Sequence, residues 1–200
     1  MSASPSVSPV AVVTGGARGI GLAIGQWFLA HGHKVVLLDV DKATLDATEK
    51  NLNRADDVLC LHTDVSQPEQ VQAAADQVLA RFGRVDALVN NAGVAVFKPA
   101  LETTFEDWRH VLSTNLDGAF LCTQAFGKIM TGQRSGAIVN IASISGLRAS
   151  TLRVAYGTSK AALIHMTKQH AAEFGKSFNR FVATAHSGLA FPVVTKARNL

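Results

Sequence analysis

The sequence lacks the features that mark several large classes of protein. Lysine and arginine never form a run of three, although the formal net charge is +4, so no basic stripe for nucleic acid is predicted. No apolar stretch approaches the ~20 residues that a membrane-spanning helix needs. Residues 1–8 contain no basic segment and no long apolar run, which predicts a flexible tail and not a signal peptide. We therefore expect a cytoplasmic protein that binds neither nucleic acid nor membranes.

The cysteines and histidines also lack the spacing that disulfide frameworks and metal sites use. Cys60 and Cys122 are isolated and belong to no CxxC pair, so we expect two free thiols. His165 and His170 are five residues apart, whereas a helical metal pair needs a separation of four. No internal repeat or linker divides the chain. We expect a single domain over residues 9–200 without a metal site.

What the sequence does contain is a regular alternation of short apolar runs and helical patterns. Runs such as KVVLLDV, residues 34–40, are apolar throughout, which is typical of parallel strands buried on both faces. Six such runs predict an α/β fold, a doubly wound parallel sheet with six strands. The apolar periodicity predicts long helices over residues 68–82, 105–130 and 155–174.

A glycine-rich segment, TGGARGIG at residues 14–21, joins the first predicted strand to the first helix. Gly15, Gly19 and Gly21 permit a tight turn and a close approach of the backbone to a pyrophosphate, which the helix N-terminus would bind. A structural connection without a ligand is the alternative. Asp39 lies 18 residues after Gly21, at the end of the next strand, where a carboxylate can accept hydrogen bonds from a ribose. This context favours a dinucleotide site.

Two charged residues bear on the choice of dinucleotide. The carboxylate of Asp39 would repel the 2′-phosphate of NADP, whereas the guanidinium of Arg18 could pair with it. Because an unpaired carboxylate beside a phosphate is unfavourable, we expect NAD to be the preferred cofactor.

The glycine spacing, together with Tyr156 and Lys160 four residues apart, resembles the short-chain dehydrogenase/reductase family. The resemblance runs from about residue 10 to 175 and continues, weakened, to about 195. It implies a Rossmann-type sheet and an NAD(P)-dependent enzyme that interconverts an alcohol and a ketone. Its motifs follow the family order: TGGARGIG at 14–21, Asp64 with Val65, NNAG at 90–93, Asn115, Ser143 and YGTSK at 156–160. The cofactor-binding residues that we expect are Gly15, Arg18, Gly19, Ile20, Gly21, Asp39, Asp64, Val65, Asn90, Asn91, Tyr156 and Lys160.

The resemblance also implies four catalytic residues. Tyr156 is the expected acid/base at the carbinol oxygen, and Lys160, one helical turn away, would stabilise its negative charge and hold the nicotinamide ribose. Ser143 matches the family's substrate-positioning serine, whose hydroxyl bonds the carbonyl oxygen. Asn115 interrupts the apolar face of a helix. By resemblance it holds a water that links Lys160 to solvent, and the alternative is a satisfied core amide.

The last part of the chain departs from the family pattern. His186 and Ser187 stand where the family has Pro-Gly, and Phe191 stands where a threonine contacts the nicotinamide. We therefore expect the usual seventh strand to be missing and turnover to be slow. The runner-up functions are an NADP-dependent 3-oxoacyl thioester reductase and a weakly active form that only binds the dinucleotide.

Substrate and assembly are less determined by the sequence. Arg148 and Arg153 flank the loop that borders the family's substrate pocket. They could favour an anionic substrate, although solvated charges are the ordinary interpretation. The resemblance implies a homodimer or homotetramer that pairs the helix around Asn115 and the helix of Tyr156 with a second copy.

Overall fold

The computed structural model describes residues 8–174, 180–185 and 191–195. The described strands belong to one sheet, in which the order of strands is β3-β2-β1-β4-β5-β6-β7. These strands are β1 (Val10–Thr14), β2 (Lys34–Asp39), β3 (Val58–His62), β4 (Ala87–Asn90), β5 (Ala137–Ile141), β6 (Arg180–Ala185) and β7 (Phe191–Thr195).

Strands β1 to β6 are parallel to their neighbours, whereas β7 pairs with β6 in the antiparallel direction. The predicted α/β class is confirmed, but the predicted count of six strands is not, because the backbone of Phe191–Thr195 adds a strand at the sheet edge. Pro192 has no N–H to donate, and an edge strand is the place in a sheet that tolerates proline. The departures at His186 and Ser187 lie outside the described residues.

Helices connect the parallel strands and cover both faces of the sheet. The helix predicted over residues 68–82 is confirmed: Pro68 occupies its first turn, and Gly83 ends it with a φ of 72°. The described α-helices are α1 (Gly19–Ala30), α2 (Lys42–Leu52), α3 (Pro68–Phe82), α4 (Phe105–Leu112), α5 (Gly118–Gln133) and α6 (Val154–Phe174).

The long helix predicted over residues 105–130 is present and extends to Gln133, but it is not α-helical throughout. A π-helical turn, Ser113–Asp117, separates α4 from α5. Such turns add one residue to a helical turn and are frequent at functional sites. The apolar periodicity could not reveal this turn because the residues on both sides of it remain helical. Its centre is the buried Asn115.

Two apolar clusters pack against the two faces of the sheet. Val12 belongs to the cluster with α3 and α5, whereas its neighbour Val13 belongs to the cluster with α1 and α2. Successive side chains of a strand point to opposite faces, so fully apolar strands are required where helices cover both. All five residues of β1 are buried.

The order of the strands fixes the position of the site. β1 lies between β2 and β4, so the chain crosses from one half of the sheet to the other at this strand. In open parallel sheets, ligands bind beyond the carboxyl ends of the strands at such a reversal. Among the described residues, no helix combines the length and the hydropathy needed to cross a bilayer.

Candidate active site

The glycine loop leaves the carboxyl end of β1 and folds tightly against the loop after β4. Gly15 has a φ of 62°, in the left-handed region that favours glycine. A Cβ atom on Gly21 would collide with the carbonyl oxygen of Gly15 and would lie 2.7 Å from Nδ2 of Asn91. The loop therefore has a compact form that larger residues would disrupt. Gly19 begins α1, so the free N–H groups of this helix face the same side as the loop.

Asp39 ends β2 beside this loop, and its carboxylate is held in place by the backbone. Oδ2 accepts a hydrogen bond from the N–H of Ala17 at 3.0 Å, and Oδ1 accepts one from the N–H of Asp41 at 3.0 Å. Arg18 is 3.3 Å from the carboxylate of Asp41, and its side chain is 75% exposed. A backbone hydrogen bond from Thr44 is the main cause that lowers the pKa of Asp41. The orientation of the Asp39 carboxylate is thus fixed by the backbone, whereas the Arg18 side chain lies largely in solvent.

Arg18 and Asp39 line a cavity of about 330 Å³, which we call the Asp39 cavity. Asp64 and Val65 form part of its wall, after the end of β3. The carboxylate of Asp64 accepts hydrogen bonds from the N–H and hydroxyl of Ser66, at 2.9 and 2.7 Å. Val65 packs against Gly118, where a Cβ would lie 2.7 Å from its Cγ2. The members of the cavity that the sequence predicted are Gly15, Arg18, Asp39, Asp64, Val65 and Asn91.

The two predicted asparagines after β4 have different surroundings. Asn91 lines the Asp39 cavity, and its Nδ2 donates to the carbonyl oxygens of Thr14 and Gly15 at 3.0 and 3.2 Å. Asn90 is 4% exposed and donates to Oδ1 of Asn140 at 2.8 Å within the core. Contact of Asn90 with a cofactor therefore stays a prediction. Because side chains alternate along a strand, Asn90 supports β4 and β5 from behind the cavity.

Tyr156 and Lys160 lie on the first turns of α6 and face a second cavity of about 380 Å³, which we call the Tyr156 cavity. Lys160 is 4% exposed, and its ammonium donates to the carbonyl oxygen of Ile141 at 2.8 Å. Burial lowers the pKa of Lys160 to about 8. Its Nζ is 5.9 Å from the centroid of the Tyr156 ring. Ile20, an exposed residue in the first turn of α1, also lines this cavity.

Ser143 follows β5 and begins a short 3₁₀ turn, Ile144–Gly146. It is 7% exposed, and its Oγ accepts a hydrogen bond from the N–H of Ser145 at 3.1 Å. Within the described residues, the Ser143 hydroxyl has no acceptor for its own proton. The lining of the Tyr156 cavity includes its neighbour Ala142 and does not include Ser143. Contact of Ser143 with a substrate therefore stays a prediction.

Asn115 joins three elements from the π-helical turn. Its Oδ1 accepts from the N–H of Val94 at 2.8 Å, and its Nδ2 donates to the carbonyl oxygen of Val94 at 2.9 Å and to Oγ of Ser159 at 3.0 Å. An amide can make four hydrogen bonds, so one acceptor position of Oδ1 is left. A Cβ on Gly93 would lie 3.3 Å from Oδ1 of Asn115 and 3.5 Å from Nζ of Lys160. Asn115 is thus a satisfied core amide beside Lys160, and its role in a water relay stays a prediction.

Sequence reasoning missed two residues that shape the site. Thr14, the last residue of β1, accepts hydrogen bonds through Oγ1 from the N–H groups of Asn91 and Ala92, at 3.0 and 2.9 Å. Its position before the glycines was the available signal. Phe97 is 59% exposed and lines the Tyr156 cavity, and no periodicity or motif marks it.

The Asp39 and Tyr156 cavities adjoin one another. Asn91, Gly93 and Val94 line both. The loop after β4 therefore forms a common wall, and the two cavities make one groove across the carboxyl edge of the sheet. This groove joins positioned carboxylates at one end to a tyrosine and a lysine at the other.

Comparisons with known proteins agree with this arrangement. D-threitol dehydrogenase of Mycolicibacterium smegmatis is 42% identical over 172 residues, which are 83% of this chain and 64% of that protein. A 3-oxoacyl-[acyl-carrier-protein] reductase of a Synechocystis species is 37% identical over 166 residues, 82% of this chain and 67% of that protein. The chain thus spans about two thirds of the length of these relatives.

A solved structure and a family profile extend the comparison. The crystal structure of a short chain dehydrogenase/reductase from Burkholderia phymatum in complex with NAD matches with a TM-score of 0.82 and 36% identity. The match covers 86% of this chain and 63% of that one. The profile of the short chain dehydrogenase family matches residues 9–195. This protein belongs to the short chain dehydrogenase family of oxidoreductases.

Proposed function

We propose that the protein is an NAD-dependent oxidoreductase that interconverts a small alcohol and the corresponding ketone. The observation that carries this proposal is the groove formed by the Asp39 and Tyr156 cavities. A dinucleotide is an elongated ligand, and the groove offers ribose-binding carboxylates and a proton-transfer pair at opposite ends. The family membership supports the same reaction class.

The residues of the groove fit the cofactor chemically. Gly15 and Gly21 carry no side chains, so the loop packs tightly against Asn91. This leaves space for a pyrophosphate at the N-terminus of α1. Asp39 would accept from the adenosine ribose, and Asp64 with Val65 would border the adenine. NAD, when bound, supplies or accepts the hydride.

The proton is handled by residues of the chain itself. Tyr156 takes the proton of the substrate hydroxyl during oxidation and returns it during reduction. The cation of Lys160 stabilises the negative charge that develops on the phenolic oxygen, and it also holds the ribose next to the nicotinamide. The hydroxyl proton of Ser143 orients the substrate oxygen. Water held near Asn115 connects Lys160 to solvent.

The preference for NAD follows from Asp39, whose carboxylate is fixed by two backbone N–H groups. A 2′-phosphate beside this carboxylate would be repelled. The second candidate function is an NADP-dependent 3-oxoacyl thioester reductase. Arg18 supports it, because this exposed guanidinium could turn from Asp41 toward a 2′-phosphate, and one of the relatives carries that enzyme name.

Turnover on a small substrate panel tests the proposal. We expect NADH to form when the protein is mixed with NAD⁺ and secondary alcohols or polyols, and NADH consumption with the matching ketones. Tyr156→Phe should lower kcat at least about a hundredfold, because it removes the proton acceptor, with NADH affinity nearly unchanged. If Tyr156→Phe retains most of the turnover, the acid/base assignment is wrong. If the protein oxidises only NADPH, and only with acetoacetyl thioesters as substrates, the second candidate is favoured.

Assembly and location follow the same family pattern. We propose that the protein forms a homodimer or homotetramer through α5 and α6. The cytoplasmic location predicted from the sequence stays a prediction.

A further inference from the structure

Arg153 is an exposed residue that lines the Tyr156 cavity, and no carboxylate among the described residues pairs with its charge. It lines the same cavity as Tyr156 and Lys160 and directly precedes α6, the helix that carries both of them. The carbonyl oxygen of Arg153 accepts a hydrogen bond from the N–H of Gly157 at 2.7 Å, which fixes its backbone at the start of α6. Across the described residues, Arg153 forms no ion pair.

The guanidinium is oriented by an aromatic ring. Its Cζ lies 5.1 Å from the centroid of Phe97, which lines the same cavity. A guanidinium on an aromatic face keeps its planar edge of N–H donors free. The contact therefore holds the cation without consuming its hydrogen bonds.

The charges that line the cavity all have one sign. Arg153 and Lys160 are its cationic residues, and its lining includes no aspartate or glutamate. Lys160 is buried and donates to Ile141, and the proposed function assigns its cation to Tyr156 and the cofactor. Arg153 is the cation that remains to meet a ligand. A second guanidinium, that of Arg148, shares an adjoining cavity with Arg153 and Phe97.

We infer that Arg153 determines substrate specificity, and that the substrate is an alcohol or ketone carrying an oxyanion a few bonds from the reacting carbon. The oxyanion accepts paired hydrogen bonds from the guanidinium edge, as carboxylates and phosphates do. With the anion on Arg153, the carbinol is held one helical turn further along α6, beside Tyr156. This inference rests on the proposed function for the reaction, but its binding test does not require turnover.

The test compares three ketones that differ in charge. Binding of 4-oxopentanoate, hydroxyacetone phosphate and neutral 2-pentanone to the full chain is measured by calorimetry, with and without saturating NAD⁺. We expect at least one of the two anions to bind about tenfold or more tightly than 2-pentanone, as a charge-assisted hydrogen bond implies. Equal affinities for all three ketones would overturn the inference, whether or not any of them is reduced.

Substitutions assign the preference to Arg153. In Arg153→Gln the ratio of the affinities for the anion and for 2-pentanone should fall to about one. Arg153→Lys should keep only part of the wild-type ratio of affinities, because the ammonium lacks the planar edge and the stacking on Phe97. Arg134→Gln removes the same charge from the exposed end of α5, before β5, and should keep the wild-type ratio.

Three outcomes separate the possible failures. An unchanged ratio in Arg153→Gln would show that another cation, such as Arg148, selects the anion, and the inference would be wrong. Tight anion binding that Arg153→Gln abolishes, in a protein that oxidises no alcohol, would support the inference and contradict the proposed reaction. Turnover of neutral and anionic substrates at equal kcat/KM would support the reaction and contradict the inference.

Discussion

Lys160 carries an ammonium group into a site where its side chain is almost completely buried. Removal from water disfavours the charged form, which lowers its pKa from 10.5 to about 8. The single hydrogen bond to Ile141 offsets only part of this loss of hydration. The proposed function gives this unfavourable burial a reason, because it assigns the cation to Tyr156 and to the ribose of the cofactor.

This depressed pKa predicts how Lys160 affects stability. Between pH 8 and 10.5 the unfolded chain holds a proton on this amine that the folded chain has released, so the contribution of Lys160 to stability rises with pH in that window. The free energy of unfolding of the wild type minus that of Lys160→Met should increase by roughly 2–3 kcal/mol between pH 8 and 10. Urea denaturation at each pH measures both. A difference that stays flat would contradict the burial of the charge.

The second prediction for a single residue concerns Asp39 and the choice between NADH and NADPH. NADH should bind at least about tenfold more tightly than NADPH, because the fixed carboxylate repels a 2′-phosphate. Asp39→Ala should narrow this gap, and Asp39→Asn, which keeps the shape, should narrow it through charge alone. Fluorescence titration with both nucleotides measures the ratio. Asp56→Ala, at a side chain fully exposed to solvent, is the control, and an equal or reversed preference in the wild type would refute NAD specificity.

At the scale of elements, the π-helical turn and the loop after β4 form one unit. The extra residue of the turn brings Asn115 to Val94, and the paired hydrogen bonds hold the loop that forms the wall common to both cavities. The same amide reaches Ser159 on α6, the helix that carries Tyr156 and Lys160. Three elements are thereby fixed relative to one another through a single side chain.

Loss of this side chain should therefore be costly. Asn115→Ala removes two hydrogen bonds to the partly buried backbone of Val94 and one to the buried Ser159, and we expect the free energy of unfolding to fall by about 2–4 kcal/mol. Chemical denaturation measures the change. Gln72→Ala, which removes an exposed amide bonded to Asp76, should change it by less than about 0.5 kcal/mol. If Asn115→Ala is as stable as Gln72→Ala, the amide does not hold these elements together.

At the scale of the whole molecule, the surface formed by α5 and α6 bears on assembly. Phe120 on α5 is 41% exposed, and an isologous contact between copies would bury such surface around a two-fold axis. We expect a dimer or larger assembly in sedimentation experiments at micromolar concentration. Phe120→Arg should shift it toward the monomer, whereas Trp27→Arg, at an exposed residue of α1, should not. A strictly monomeric wild type would contradict this interface.

The sequence by itself determined the α/β class, the helix of residues 68–82, the glycine loop and the positions of Asp39, Tyr156 and Lys160. These features depend on local causes: apolar runs, caps, glycines at a strand end, and residues four apart on one helix. A motif of this kind carries its geometry within a few residues. That is why β2 ends at Asp39 and why Tyr156 and Lys160 share a cavity.

Only the tertiary structure decided the rest, because it depends on contacts between distant segments. The π-helical turn exists where Asn115 meets Val94, and Asn90 lies in the core because the sheet directs its side chain toward Asn140. The antiparallel β7 depends on pairing with β6. The sequence favoured a solvated charge at Arg153, and only the tertiary structure shows its contact with Phe97 and its place in the lining of a cavity that includes no carboxylate.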